Sequence, residues 1–183
     1  AADTTVTSSD NAAMTLSVAV ANAVFDVTGA PAETDGSNYG SYTLSDTAAN
    51  LANANAGLVN FAQAVTATDA ATYADAATLA GLTTMGTPVS YSVTVAAADA
   101  ITAGAALNSA VNITASDAQD IADALVLKGA TNSGTTSYAI SDAIGSFISG
   151  VAATQALISS AVEAATGTVT ATGNATLAEA AVV

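Results

Sequence analysis

The sequence predicts an α/β fold, a solenoid-like stack of short strands and alanine-rich helices, and three observations carry that reading. One phrase recurs, as Val6-Thr-Ser-Ser-Asp10, Val65-Thr-Ala-Thr-Asp69, Ile113-Thr-Ala-Ser-Asp117 and Val169-Thr-Ala-Thr-Gly173. A tyrosine-led relative alternates with it, as Tyr42-Thr-Leu-Ser-Asp46, Tyr91-Ser-Val-Thr-Val95 and Tyr138-Ala-Ile-Ser-Asp142. The central copies begin about 24 residues apart, room for one strand and one helix in a stacked array. Composition is the third observation. The chain is 51% hydrophobic but only 4% aromatic, with alanine the commonest residue, and such small side chains suit thin, closely approaching layers. The alternative architecture is α+β or a mixed β-sandwich with helices, because Met14-Thr-Leu-Ser-Val-Ala-Val20 alternates well enough for Val6 to Val27 to make two antiparallel strands.

The elements follow in order. Residues 1–41 read as a strand-rich N-terminal cap or assembly segment, 42–168 as the strand–helix repeats, and 169–183 as a C-terminal strand or tail. Within the repeats, β-branched residues come first (Val65, Thr66, Thr68; Val111, Ile113) and predict short strands. Ser-Asp or Thr-Asp follows. Aspartate is a strong N-cap, since its carboxylate accepts the free N–H groups of a first helical turn and suits the positive end of the helix dipole. Asp10, Asp46, Asp69, Asp117 and Asp142 are therefore each expected to cap the helix that follows them. Helical spacing of Ala48, Leu51, Ala52, Leu58, Val59 and Ala62 predicts the first helix of the body, with Asn55 out of place in its apolar stripe. Ile121, Ala124 and Leu125 mark another, and Ile144, Phe147, Ile148, Val151, Ile158 and Val162 predict a long one from about Ala143 to Ala165. Gly57, Gly81 and Gly129 are candidate helix exits. Tyr42, Tyr91 and Tyr138 are expected to be packed but partly exposed at the repeat starts.

Charge and composition exclude much. One basic residue, Lys128, stands against fifteen acids, for a net charge of −14. Without Arg, His or Cys the chain has no Ser-His-Asp or Cys-His constellation, no zinc site of the usual ligands and no arginine clamp on phosphate. Nucleic acid is not an expected partner, because binding it needs cations that displace counterions from phosphates. A carboxylate pair alone can serve glycoside hydrolysis, but clefts of that kind rely on aromatic platforms, and there is no Trp. No enzyme activity is expected. No apolar run reaches the length of a membrane span, and Ala1-Ala2-Asp3 lacks the basic start of a signal peptide, so the reading is of a mature, processed chain. The absence of Cys, the acidity and the abundance of Thr, Ser and Ala point to an extracellular or cell-surface location.

Metal is the one cofactor question. Carboxylates repeated at one edge invite Ca²⁺, which takes six to eight oxygen ligands, although capping alone accounts for them. Asp35 and Asn38, in Asp35-Gly36-Ser37-Asn38, are the candidate ligands of a calcium-loop fragment, but the terminal Glu of a full loop is missing and an ordinary turn explains the segment. Asn112-Ile-Thr114 and Asn174-Ala-Thr176 match the glycosylation sequon, with Asn112 expected in a strand.

The phrases Tyr42-Thr-Leu-Ser-Asp46-Thr-Ala-Ala-Asn50-Leu51 and Val65-Thr-Ala-Thr-Asp69-Ala resemble the units of repetitive bacterial surface proteins, among them S-layer proteins, giant adhesins and related secreted proteins. The resemblance runs over roughly residues 42 to 130. It implies an extracellular, non-enzymatic, structural or adhesive role, often with calcium, though the glycine-rich nonapeptide array of many calcium-binding relatives is missing here. The expected function is a secreted structural subunit that assembles with copies of itself through its terminal strands into a filament or surface layer. The alternative is a glycan- or surface-binding module of an adhesin, using rows of Thr66, Thr68, Thr114, Thr170 and Thr172.

Overall fold

The computed structural model describes residues 14–25 and 42–176. They form an α/β fold with a seven-strand parallel sheet flanked by helices and not closed into a barrel. The antiparallel alternative fails at the first element. β1 (Met14–Leu16) runs parallel to β2 (Tyr42–Asp46), and the chain turns into α1 (Val18–Phe25) where alternation predicted more strand. Ser17 explains the switch, because its hydroxyl accepts the Val20 N–H at 3.2 Å in the manner of an N-cap.

The chain divides into two compact units, residues 1–92 and 93–183, a boundary that the repeat spacing does not announce. In the first unit, β2 is followed by α2 (Ala48–Ala52) and α3 (Ala56–Asn60), and then by β3 (Ala64–Thr72), which pairs in parallel with β2. The helix predicted over Ala48 to Ala62 is thus two short ones. Asn55 is the break: its side chain accepts the Gly57 N–H at 2.9 Å and starts α3, so the polar residue that spoiled the stripe is an N-cap, and Gly57 lies inside a helix. α4 (Tyr73–Leu79) follows β3. Leu44 and Val65 stand in register and are buried, as are Leu51, Leu58, Val59 and Leu79 of the helices.

β4 (Ser90–Val95) crosses the boundary. In the second unit come α5 (Ala105–Asn108), β5 (Ile113–Gln119), α6 (Ile121–Lys128), β6 (Thr136–Ala143), a 3₁₀ turn at Ile144–Phe147, α7 (Ala152–Ala164) and β7 (Val169–Thr172). Strands β4 to β7 pair in parallel in chain order. Val93 with Ile113, and Gln119 with Ile140 and Val169, are in register across them. The pairing of β5 with β6 shifts between Thr114 and Ala118, so β5 bulges.

The long helix predicted from Ala143 to Ala165 is broken. Its first part is the 3₁₀ turn, with an extended residue at Ile148. Gln155 clamps the break, accepting the Ser149 N–H at 2.7 Å and donating to the Phe147 carbonyl at 3.1 Å. Close backbone approach fixes the turns that lead into strands. Gly134 donates its N–H to the Val111 carbonyl at 2.7 Å, and a Cβ there would collide with that carbonyl and with Asn112 Oδ1.

Candidate functional site

The repeated aspartates form the most regular chemical feature of the chain, and they do not act on the helices assigned to them. Asp69 and Asp117 lie within β3 and β5, which run on past them, and Asp142 stands one residue before the end of β6. Each reaches back to the segment that precedes its own strand. Val18 N–H, the first of α1, donates to Asp46 Oδ2 at 2.9 Å. Ala48 N–H, the first of α2, donates to Asp69 Oδ1 at 2.7 Å. Ile121 N–H, the first of α6, donates to Asp142 Oδ2 at 3.1 Å. Ala97 N–H, in the turn after β4, donates to Asp117 Oδ1 at 2.8 Å, and Asp99 Oδ2 takes the adjacent Ala96 N–H at 2.7 Å.

The helices that follow these strands have other caps. Thr47 accepts from Asn50 N in α2, Thr72 from Asp75 N in α4 at 3.1 Å, and Asp120 from Asp123 N in α6 at 2.8 Å. The expectation that Asp46, Asp69, Asp117 and Asp142 cap their own following helices is therefore corrected. The caps of α1, α2 and α6 are each shared between a residue at the helix's own start, which takes the third N–H, and an aspartate from the next strand, which takes the first. Both groups satisfy donors that a helix leaves open at its start. Asp10, Asp35 and Asn38 lie outside the described residues.

Hydrogen bonding lowers the carboxyl pKa of two of these aspartates, Asp46 and Asp142. The Asn50 amide, at 2.8 Å, does most to hold the Asp46 carboxyl below its ordinary value, and the Thr47 and Val18 N–H groups add to it against the opposing effect of burial. Asp142 is lowered by the Ile121 N–H first, with the Ala143 N–H and Ser146 adding to it while burial opposes. Asp123 goes the other way, raised by burial and by the charge of Asp120. Among the described residues no three acidic side chains come together as a metal site would need.

One residue that sequence reasoning missed supports the row. Gln119 is fully buried, and its amide donates to the Asp117 carbonyl at 3.0 Å and to Asp117 Oδ1 at 3.1 Å, which fixes the carboxylate on the bulged strand. A lone polar residue two positions beyond the phrase was the available signal. The tyrosines, expected to be partly exposed, are instead core residues, with Tyr42, Tyr91 and Tyr138 each at most 3% exposed. Tyr42 Oη donates to the Leu58 carbonyl at 2.5 Å and Tyr138 Oη to the Ala161 carbonyl at 2.8 Å, each tying a strand to a helix that follows it. Burial raises the Tyr138 hydroxyl pKa.

On the other face, hydroxyl rows bond among themselves: Thr43 Oγ1 with Thr15 Oγ1 at 3.0 Å, and Ser137 Oγ with Thr166 Oγ1 at 2.7 Å. The β5 bulge opens a cavity of about 270 Å³ beside Ser116, Asp117, Ser137 and Thr166, whose polar groups are already engaged with one another or with the backbone. The sequon residue Asn112 is engaged too, its Oδ1 accepting from Thr135 N at 2.9 Å and Thr135 Oγ1 at 3.0 Å.

The last strand departs from this pattern. All four residues of β7 are exposed, and among the described residues it pairs with β6 alone. Gly173, at φ +91°, stands where the phrase elsewhere carries aspartate. Val151, Leu157 and Val169 expose large apolar side chains in the same stretch of chain. Comparison with protein-family models, with curated proteins and with solved structures finds no match.

Proposed function

We propose that the chain is a secreted structural subunit that joins copies of itself through its terminal strands into an extracellular filament or surface layer, its body a solenoid-like stack of strand–helix repeats. The observation that carries the reading is β7: four exposed residues on a parallel strand, paired on one side among the described residues, with neither Lys nor Pro to blunt the edge. An unprotected strand edge is a template for another chain, and strand addition supplies a ladder of backbone hydrogen bonds at every contact. The exposed Val151, Leu157 and Val169 offer apolar surface for the same contact. The solenoid reading draws support from strands paired in parallel in chain order within each unit, and from an aspartate–amide link that recurs in both.

No cofactor enters the proposal. Size-exclusion chromatography and negative-stain microscopy of the purified chain test it, alongside a variant lacking residues 1–27. The full chain is expected to form polymers, and the truncated chain to remain soluble and unpolymerised while keeping its helical circular-dichroism signal. A full chain that stays monomeric at high concentration, or a truncated chain that forms the same filaments, overturns the proposal and favours the ligand-binding module of an adhesin.

A further inference from the structure

We propose that Asp46 and Asp142 form an acid-released latch that holds each of their strands to the segment preceding it. The inference concerns the chain itself and stands whether or not the chain polymerises. Its geometry recurs at Asp69 and Asp117: in all four cases a carboxylate on one strand accepts a backbone N–H at the start of the preceding helix or turn, at 2.9, 2.7, 2.8 and 3.1 Å. A carboxylate on a backbone N–H is a charge-assisted bond, stronger than a neutral one, and it loses that advantage when the carboxyl takes up a proton.

The surroundings lack a base that would hold the charge in acid. Asp46 faces Asn50 from α2 and stands beside Asp69, since the two carboxylates take the consecutive N–H groups of Thr47 and Ala48. Asp117 stands beside Asp99 in the same way, on Ala97 and Ala96. Asp142 meets the start of α6, which carries Asp120 and Asp123, and on its own side has Ala143 and Ser146. The chain's single base, Lys128, is at the far end of α6. The lowered pKa values of Asp46 and Asp142 give the sign. A carboxylate whose folded pKa lies below its unfolded value stabilises the fold above the unfolded pKa, and that stabilisation is lost as pH falls through the folded pKa. The latch is thus closed at neutral pH and opens in acid.

The test uses the full chain and two readouts. In the first, amide chemical shifts of Val18, Ala48, Ala97 and Ile121 are followed by NMR from neutral pH into acid. Val18 and Ile121 are expected to titrate with inflections below the ordinary carboxylate value; flat profiles at these two amides overturn the proposal. In the second, thermal melting is compared for the wild type and for D46N/D142N, which keeps both acceptors but removes the titrating charges. The variant is expected to melt lower than wild type at neutral pH and to lose most of the wild-type drop in Tm on acidification, while E163Q, on the exposed side of α7, retains that drop. A double variant whose Tm falls in parallel with wild type overturns the latch. Should it fail to fold, the single variants D46N and D142N are read the same way.

Discussion

Two stretches of the second unit have the same plan of strand, helical stretch and strand, yet their helices begin differently. Between β5 and β6, α6 runs without a break from Ile121 to Lys128, its first N–H held by Asp142 and its third by Asp120. Between β6 and β7, an apolar stripe at least as strong (Ile144, Phe147, Ile148, Val151) yields only a 3₁₀ turn, a break and a later helix. Neither Ala143 nor Val151, at the two starts, makes a side-chain cap bond, and Gly173 occupies the place of the aspartate. An apolar stripe decides which face a helix buries, whereas the donors at its start need acceptors, and here one of those comes from the next strand. Burial follows the same division. Leu127 of α6 is fully buried, while Leu157 of α7 is 56% exposed.

The sharpest way to break this comparison is to truncate a leucine in each stretch. Leu127→Ala is expected to cost about 2–5 kcal/mol and Leu157→Ala to stay within about 0.5 kcal/mol, read from chemical denaturation of each variant. Equal losses would mean that the last stretch is as well packed as the one before it. Next in size is Gly134→Ala. The added methyl meets the Val111 carbonyl and Asn112 Oδ1, and a loss of about 1–3 kcal/mol is expected by the same measurement. A neutral result would mean that this turn does not rest on the previous one.

Much of this was legible in the sequence. β-Branched phrases such as Val65-Thr-Ala-Thr marked strands, alanine-rich spacing marked helices, and the alternation gave parallel α/β, because all three are properties of neighbouring residues. The target of Asp69 was not legible, because the residue that needs its carboxylate, Ala48, is adjacent only after the strands pair. Asn55 was visible as an anomaly but not as a cap, since a polar residue in an apolar stripe reads the same whether the helix continues or restarts. Tyr42 and Tyr138 read as packed but partly exposed because nothing local showed that a helix carbonyl would sit within reach of each hydroxyl.

Smaller effects sharpen the picture. Tyr138→Phe keeps the ring in the core but leaves the Ala161 carbonyl without its donor, and a loss of about 0.5–1.5 kcal/mol is expected from thermal or chemical unfolding. Smaller still is the response to ions. With fifteen acids against one base, salt should stabilise the fold by screening, and Ca²⁺ should do no more than NaCl at matched ionic strength. A rise in Tm specific to millimolar Ca²⁺ would show that carboxylates bind metal rather than only backbone N–H groups.

Amide hydrogen exchange in Asp69→Ala tests the central claim most directly, because it asks which helix the carboxylate serves. The substitution is expected to cost about 0.5–2 kcal/mol, the range of a lost helix cap. Its effect should be local to the preceding helix: the Ala48 N–H loses protection, while the start of α4 at Tyr73 to Asp75, capped by Thr72, keeps it. Protection lost at the start of α4 with Ala48 unchanged would contradict the account and return Asp69 to the helix that follows it.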